Sequence, residues 1–222
     1  MRHAHLSERK FKFILKLFAE DLSATKVARI GNINRNAANA LFDKFRGRIC
    51  NLAKAEEITN CTFAQLDESF FGPRRIKGKK GRGAGKKIIV FGIWDSSGNV
   101  YCEVVPNCRK YTLLPIIMRH MNDRANIHTD GLNVYRCLKK MGYNHNYVRH
   151  QKDNFYIEKD GEKIHTNNIE SHWSWSKERL IKFHGLRMDD FAKHLIETVF
   201  RFNHRQTGIY EILLNEFRAK PL

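Results

Sequence analysis

Along the first fifty residues apolar side chains return every three to four positions, the period of an amphipathic helix. Phe11, Ile14, Leu15 and Phe18 form one such face behind Ser7, whose hydroxyl suits an N-cap. Ser23 opens a second helix through Val27, Ala28 and Ile30, with Gly31 as its stop. Asn34 opens a third with Ala38, Leu41, Phe42 and Phe45 inward, which turns Arg35, Asn36, Asn39, Lys44 and Arg46 outward. A short helix, a Gly-containing turn and a helix that begins with Arg and Asn match the helix-turn-helix pattern. Arg and Asn are also the side chains that suit guanine and adenine edges in a major groove. A plain three-helix packing unit fits the same pattern, so two readings stand for residues 1–57.

From residue 62 the period changes. TFAQLDESFF reads as a strand that ends at Gly72, and IIVFGIWD, SSGN and VYCEVVPN read as strand, turn and strand. A helix follows over Tyr111 to Met121, then a short strand NIHTD, a helix over Leu132 to Met141 and a weaker strand near Tyr147 to Arg149. The polar segment 151–165 reads as a loop, and helices over Asn168 to Phe183 and Asp189 to Arg205 close the pattern. The order of three strands, helix, strand, helix, strand, helix predicts an α/β domain over residues 58–222 behind the helical region 1–57.

Composition adds a partner. The 222 residues carry 40 Lys and Arg against 23 Asp and Glu, a net +17 that calls for a polyanion, with nucleic acid first. Residues 72–87, GPRRIKGKKGRGAGKK, hold eight basic groups, no acidic ones and five glycines, a composition that forbids a stable helix or strand. Arg74, Arg75, Lys77, Lys79, Lys80, Arg82, Lys86 and Lys87 are therefore expected to form a cationic loop that contacts DNA phosphates without reading bases. The longest uncharged apolar stretch, Ile88 to Trp94, falls far short of the roughly 18 residues of a spanning helix. With an N-terminal MRHAHLSERKFKF that lacks a secretory pattern, this predicts a cytosolic protein that does not enter membranes. The five cysteines form no C-x-x-C pair and read as reduced thiols rather than a zinc ribbon.

Three acidic residues stand out. Asp67 lies mid-strand in apolar company, where Asp is a poor strand former and a buried carboxylate needs a donor or cation. Asp130 ends the strand NIHTD just before Gly131, at a sheet edge where ligands meet strand ends, although Asp-Gly is also ordinary turn chemistry. Glu170 falls in the first turn of NNIESHWSWSKERL, where it also complements the helix dipole. Trp173 reads as core on the inner face of that helix, with Ile169, Ser176 and Leu180. Taken together, the carboxylates suggest a hard-cation site, since magnesium takes oxygen ligands and leaves room for water and phosphate. Lys177 follows Glu170 by two helical turns, about 10 Å along the same face, and suits a phosphate.

At this point the residues resemble a known family. LDESFFG, IHTDGLNVY, and NNIESHWSWSKERLIKFHG followed by FRFNHR are similar to the signature segments of bacterial insertion-sequence DDE transposases. The likeness is to the IS-fifteen-ninety-five group (ISXO type), in its short subgroup with a D, D, E, K pattern. It implies a ribonuclease H-like mixed sheet flanked by helices, here behind an N-terminal helix-turn-helix. By motif it assigns Asp67, Asp130 and Glu170 as catalytic metal ligands and Lys177 as the catalytic lysine. Some relatives carry Asn as the third residue, which keeps Asn167 and Asn168 beside Glu170. The resemblance further implies two Mg2+ ions per site, with Mn2+ as substitute, and hydrolysis at element ends followed by strand transfer into target DNA. The expected partner is double-stranded DNA, bound by a homodimer on paired ends in the nucleoid. A retired, regulatory DNA-binding protein and a structure-specific nuclease are the rival functions.

Overall fold

The computed structural model describes residues 6–72, 87–148, 157–159, 162–183 and 185–221. In chain order the helices are α1 (Glu8–Ala19), α2 (Ala24–Ile30), α3 (Arg35–Ala55), α4 (Lys110–His120), α5 (Asn167–Ile181), α6 (Met188–Asn203) and α7 (Tyr210–Ala219). The strands are β1 (Cys61–Phe71), β2 (Ile88–Asp95), β3 (Val100–Val105), β4 (Met121–Asp130), β5 (Asn144–Val148), β6 (Ile157–Lys159) and β7 (Glu162–Ile164). They fall into two compact units, Met1–Glu56 with Ile196–Leu222, and Glu57–Leu195.

In the helical unit the expected caps are present. Ser7 accepts the N–H of Lys10, Ser23 that of Lys26 and Asn34 that of Asn36, each satisfying one of the orphan donors of a first turn. Gly31 ends α2, where a Cβ would lie 2.8 Å from the Val27 carbonyl. Phe11, Ile14, Leu15, Phe18, Val27, Phe42 and Phe45 are buried, each contributing about 1.5–3 kcal/mol of apolar transfer. Two side chains depart from expectation. Ile30 is 47% exposed, and Arg46 turns inward to Glu197, Nε to Oε2 2.7 Å, because Glu197 is itself buried and requires a cation. Residues 196–222 group with these helices, since Leu213, Leu214 and Phe217 of α7 enter the same apolar cluster as Phe11 and Phe45.

In the second unit five strands form one sheet in the order β3-β2-β1-β4-β5. β1 and β2 are antiparallel, β2 and β3 antiparallel, and β4 and β5 run parallel to β1. This mixed order, with helices on its faces, is the ribonuclease H-like arrangement. The β2–β3 turn forms because Asp95 accepts the N–H groups of Ser97 and Asn99, both at 2.9 Å, and Gly98 supplies a left-handed φ of 79°. One face of the sheet, with Ala64, Leu66, Phe91, Ile93 and Ile127, packs in a cluster with Leu113, Ile116 and Ile117 of α4. The alternate residues of β1, including Gln65, Asp67 and Phe71, turn to the face that carries α5.

Four regions differ from the periodicity reading. β4 begins at Met121, directly after α4, and extends the NIHTD strand by pairing along β1 through a bulge between Cys61 and Phe63. Residues 133–141 form two 3₁₀ turns rather than an α-helix. They bury Tyr135 and Leu138, and Gly142 at φ 95° stops them before a regular helix develops. Within 151–165, β6 and β7 form an antiparallel pair with Ile157 opposite Ile164, where the polar composition of the segment reads as loop. The periodicity reading ends at Arg205, yet α7 forms beyond it, with Leu213, Leu214 and Phe217 buried at helical spacing.

Candidate active site

β1 lies in the middle of the sheet, and its parallel register with β4 pairs Leu66 with Thr129. One step further along both strands stand Asp67 and Asp130, which places the two carboxylates on neighbouring strands and on one face. Asp67 is tolerated in a strand because it has donors. The indole N–H of Trp173 on α5 reaches its Oδ2 at 2.9 Å, and the backbone N–H of Glu68 also favours its charged form. Against these, burial first, then the charge of Asp130 and more weakly that of Glu170 push the Asp67 carboxyl up to about 7.

Asp130 also performs the turn chemistry expected of Asp-Gly: its Oδ1 accepts the N–H of Leu132 at 3.1 Å. Glu170 occupies the first turn of α5, and its Oε1 accepts the hydroxyl of Thr166 at 2.7 Å. Lys177 stands two turns on, with its ammonium 5.8 Å from the centroid of the Phe71 ring. Burial draws the Lys177 ammonium below its ordinary value; the charge of Asp67 opposes that and the charge of Lys87 adds to it.

Asp67, Glu170 and Lys177 line one open cleft of about 380 Å³, together with Glu68, Lys87 and Trp173. The four residues singled out for chemistry are therefore brought together, three in the cleft wall and Asp130 within electrostatic reach of Asp67. Asn168 gives its backbone N–H to Gln65 instead. Among the described residues no three His, Cys, Asp or Glu side chains converge closely enough to hold a metal ion. The donor set still fits a hard divalent cation in kind: it is all oxygen, and the carboxylate of Asp67, pushed up by burial first and by the neighbouring carboxylates second, is one that a positive charge would favour in its ionised form.

The candidate DNA contacts divide. Arg35, Asn36, Asn39 and Lys44 are all exposed on α3. Lys87 lines the cleft, a closer place than a general phosphate contact requires. Arg74, Arg75, Lys77, Lys79, Lys80, Arg82 and Lys86 lie outside the described residues.

Three features escaped the sequence reading. Trp173 is core, 4% exposed, but it is also the donor to Asp67. It fits there because its partner across from Asp67 in β2 is Gly92, where a Cβ would lie 2.5 Å from Trp173 Cζ2. Gln65, 1% exposed, accepts the N–H groups of Asn168 and Ile169. Tyr135 is fully buried and donates its hydroxyl to Glu68. A polar residue amid apolar strand neighbours was the available signal, since a buried amide or carboxylate needs a partner; which partner was not written locally.

Comparison with known proteins identifies the family. The ISXO2-like transposase domain matches residues 62–203, well over half of the chain. An uncharacterized transposase-like protein of Haemophilus influenzae (strain ATCC 51907 / DSM 11121 / KW20 / Rd) is 31% identical over 111 residues, which span 48% of this chain and 83% of that one. Among solved structures, the Mos1 strand transfer complex is 12% identical at a TM-score of 0.31, over 96% of this chain and 80% of that one. The Mos1 mariner paired end complex with Mn is 11% identical at a TM-score of 0.34, over 98% and 80%. At those values the Mos1 likeness is coarse and carries no functional weight.

Proposed function

This chain belongs to the ISXO2-like transposase family, and from that premise we propose that it cleaves DNA at the ends of an insertion sequence and joins the freed 3′-hydroxyl to target DNA. The observation that carries this reading is the cleft in which Asp67, Glu170 and Lys177 meet, with Asp130 near enough to raise the pKa of Asp67. Asp67 and Asp130 would hold one divalent cation and Glu170 would complete a second site. A magnesium pair, with manganese able to substitute, would supply activation of the attacking oxygen and stabilisation of the leaving oxygen in an in-line displacement.

The chain's own residues prepare that cleft. Trp173 engages Oδ2 of Asp67 and so orients the carboxylate. Thr166 restrains Glu170 at Oε1. Lys177 offers a charge to a phosphate oxygen from a half-apolar position over Phe71, where its attraction is less screened than in water. Exposed Arg35, Asn36 and Asn39 on α3 read the element ends as the second half of a helix-turn-helix, while Lys44 and the basic residues of 72–87 hold phosphates. Two copies act on paired ends. Among the described residues no helix is long and apolar enough to cross a membrane, and we assign the protein to the cytoplasm, on nucleoid DNA.

The test is Asp130→Asn, which keeps the shape and the turn but replaces an anionic ligand with an amide. Cleavage of an end-containing duplex in Mg2+ or Mn2+ should fall at least about a thousandfold, ~4 kcal/mol in the barrier, with gel-shift affinity near wild type. Cleavage at the wild-type rate would overturn the assignment. Wild-type cleavage that never yields a joined product would mark a nuclease.

A further inference from the structure

The first turn of α5 takes its capping acceptor from another element. Thr166, at the N-cap, makes no side-chain bond to the helix backbone and gives its hydroxyl to Glu170. The acceptor comes from β1. Gln65 Oε1 receives the N–H of Asn168 at 3.1 Å and of Ile169 at 3.3 Å, and Gln65 Nε2 lies 3.3 Å from Nδ1 of His165. Both ends of a fully buried amide are thus engaged, which is how such a group is tolerated.

What matters is where those bonds lie. Gln65 and Asp67 are two residues apart on β1 and share a face. Asn168 and Ile169 immediately precede Glu170. One side chain therefore joins the strand that carries Asp67 to the helical turn that carries Glu170. A second tie, Trp173 to Asp67, lies one turn further along α5. Without Gln65, two N–H groups at a buried helix end would have no acceptor, and the turn would open toward water. Glu170 would move with that turn while Asp67 stayed where Trp173 holds it.

We infer that Gln65 is a positioning residue that sets where Glu170 stands relative to Asp67, and through that spacing the cation affinity of the carboxylates. This rests on the metal-dependent reading of the cleft given above. Preorganised ligands bind a cation more tightly because the ordering is already present in the free protein, and outer-shell partners commonly alter metal affinity by 10–100-fold.

The experiment uses the full-length chain and Mn2+ alone as probe, with bound Mn2+ followed by electron paramagnetic resonance. Gln65→Met keeps the length and removes the acceptor; Gln65→Glu keeps an acceptor oxygen. Ile117→Val, a buried change on α4 at the opposite face of the sheet, serves as a stability control. Gln65→Met should weaken Mn2+ binding about tenfold, the low end for outer-shell partners, and speed amide exchange at Asn168 and Ile169 in the metal-free protein. Gln65→Glu should recover most of the affinity, and Ile117→Val should lower the melting temperature without moving the Mn2+ midpoint. Unchanged Mn2+ affinity in Gln65→Met, or an equal loss in Ile117→Val, would overturn the inference. If wild type and Asp130→Asn bind Mn2+ alike, the carboxylate reading itself is wrong and the positioning claim falls with it, an outcome visible before any Gln65 variant is compared.

Discussion

In the helical unit, Phe11, Phe18, Phe42, Phe45 and Phe217 meet with ring centroids between 4.7 and 6.3 Å, mostly edge to face. Buried charge there is gathered at Glu197, which receives Arg46 at 2.7 Å and Arg201 at 2.8 Å, while Arg201 also caps the end of α1 through the carbonyls of Phe18 and Ala19. In the sheet unit, polar groups line one face of β1, where Gln65 and Asp67 bond to α5 and leave the carboxylates beside an open cleft. The first arrangement closes on itself. The second buries the Asp67 carboxyl beside other carboxylates and raises it to about 7, an arrangement unfavourable for an isolated fold. Apolar packing tolerates small shifts because dispersion has little direction; the β1–α5 contact does not, because hydrogen bonds fail with angle.

The largest expected effect on stability lies in the helical unit. Glu197→Ala leaves two nearly buried guanidinium groups without their shared carboxylate and should destabilise the protein by about 3–5 kcal/mol in urea unfolding. A loss below about 1 kcal/mol would mean that the pairs only break even, and that the aromatic cluster carries this unit alone.

Next come substitutions that set the two units directly against each other. Gly92→Ala in β2 forces a Cβ to within 2.5 Å of Trp173 Cζ2 and should cost about 1–3 kcal/mol. It should also displace the indole from Asp67, a change that tryptophan fluorescence would report. The same exchange at Gly47, mid-helix in α3 with nothing within 4 Å of the added Cβ, is the smallest effect predicted here and has the opposite sign, a gain of about 0.5–1 kcal/mol. Equal signs at the two positions would erase the contrast.

Between them in size falls a pH effect confined to the sheet unit. His145 contacts Thr129, the neighbour of Asp130, at 2.9 Å. Burial, then the charge of His128, push its pKa down to about 4. The unfolded chain takes up that proton below about 6.5, so between these values the unfolded state binds more protons and stability falls as pH drops. The slope contributed can reach at most about 1.4 kcal/mol per pH unit, and His145→Gln should remove it when unfolding midpoints are compared from pH 7 to pH 4. Parallel curves for wild type and variant would show that His145 titrates normally in the fold.

Much of this was legible locally. Helical spacing behind Ser7, Ser23 and Asn34 located α1, α2 and α3, because a cap and a repeating apolar face lie within one short segment. The alternation of β1 to β3, and the oddity of carboxylates at Asp67, Asp130 and Glu170, were equally visible. The 3₁₀ turns at 133–141 were not, since the spacing that buries Tyr135 and Leu138 is shared by both helix types over so short a run.

Sequence alone determined which residues are candidates for chemistry and which faces are apolar, because residue type and period are properties of a segment. Only the tertiary structure decided partners. That α7 joins α1 and α3, that Gln65 caps a helix a hundred residues away, and that Gly92 makes room for the indole that holds Asp67 depend on contacts distant along the chain. A periodic pattern reports that a face must be covered or a buried polar group satisfied. It carries no information about which distant segment does so, and the choice is made only when the strands fall into register and bring β1 beneath α5.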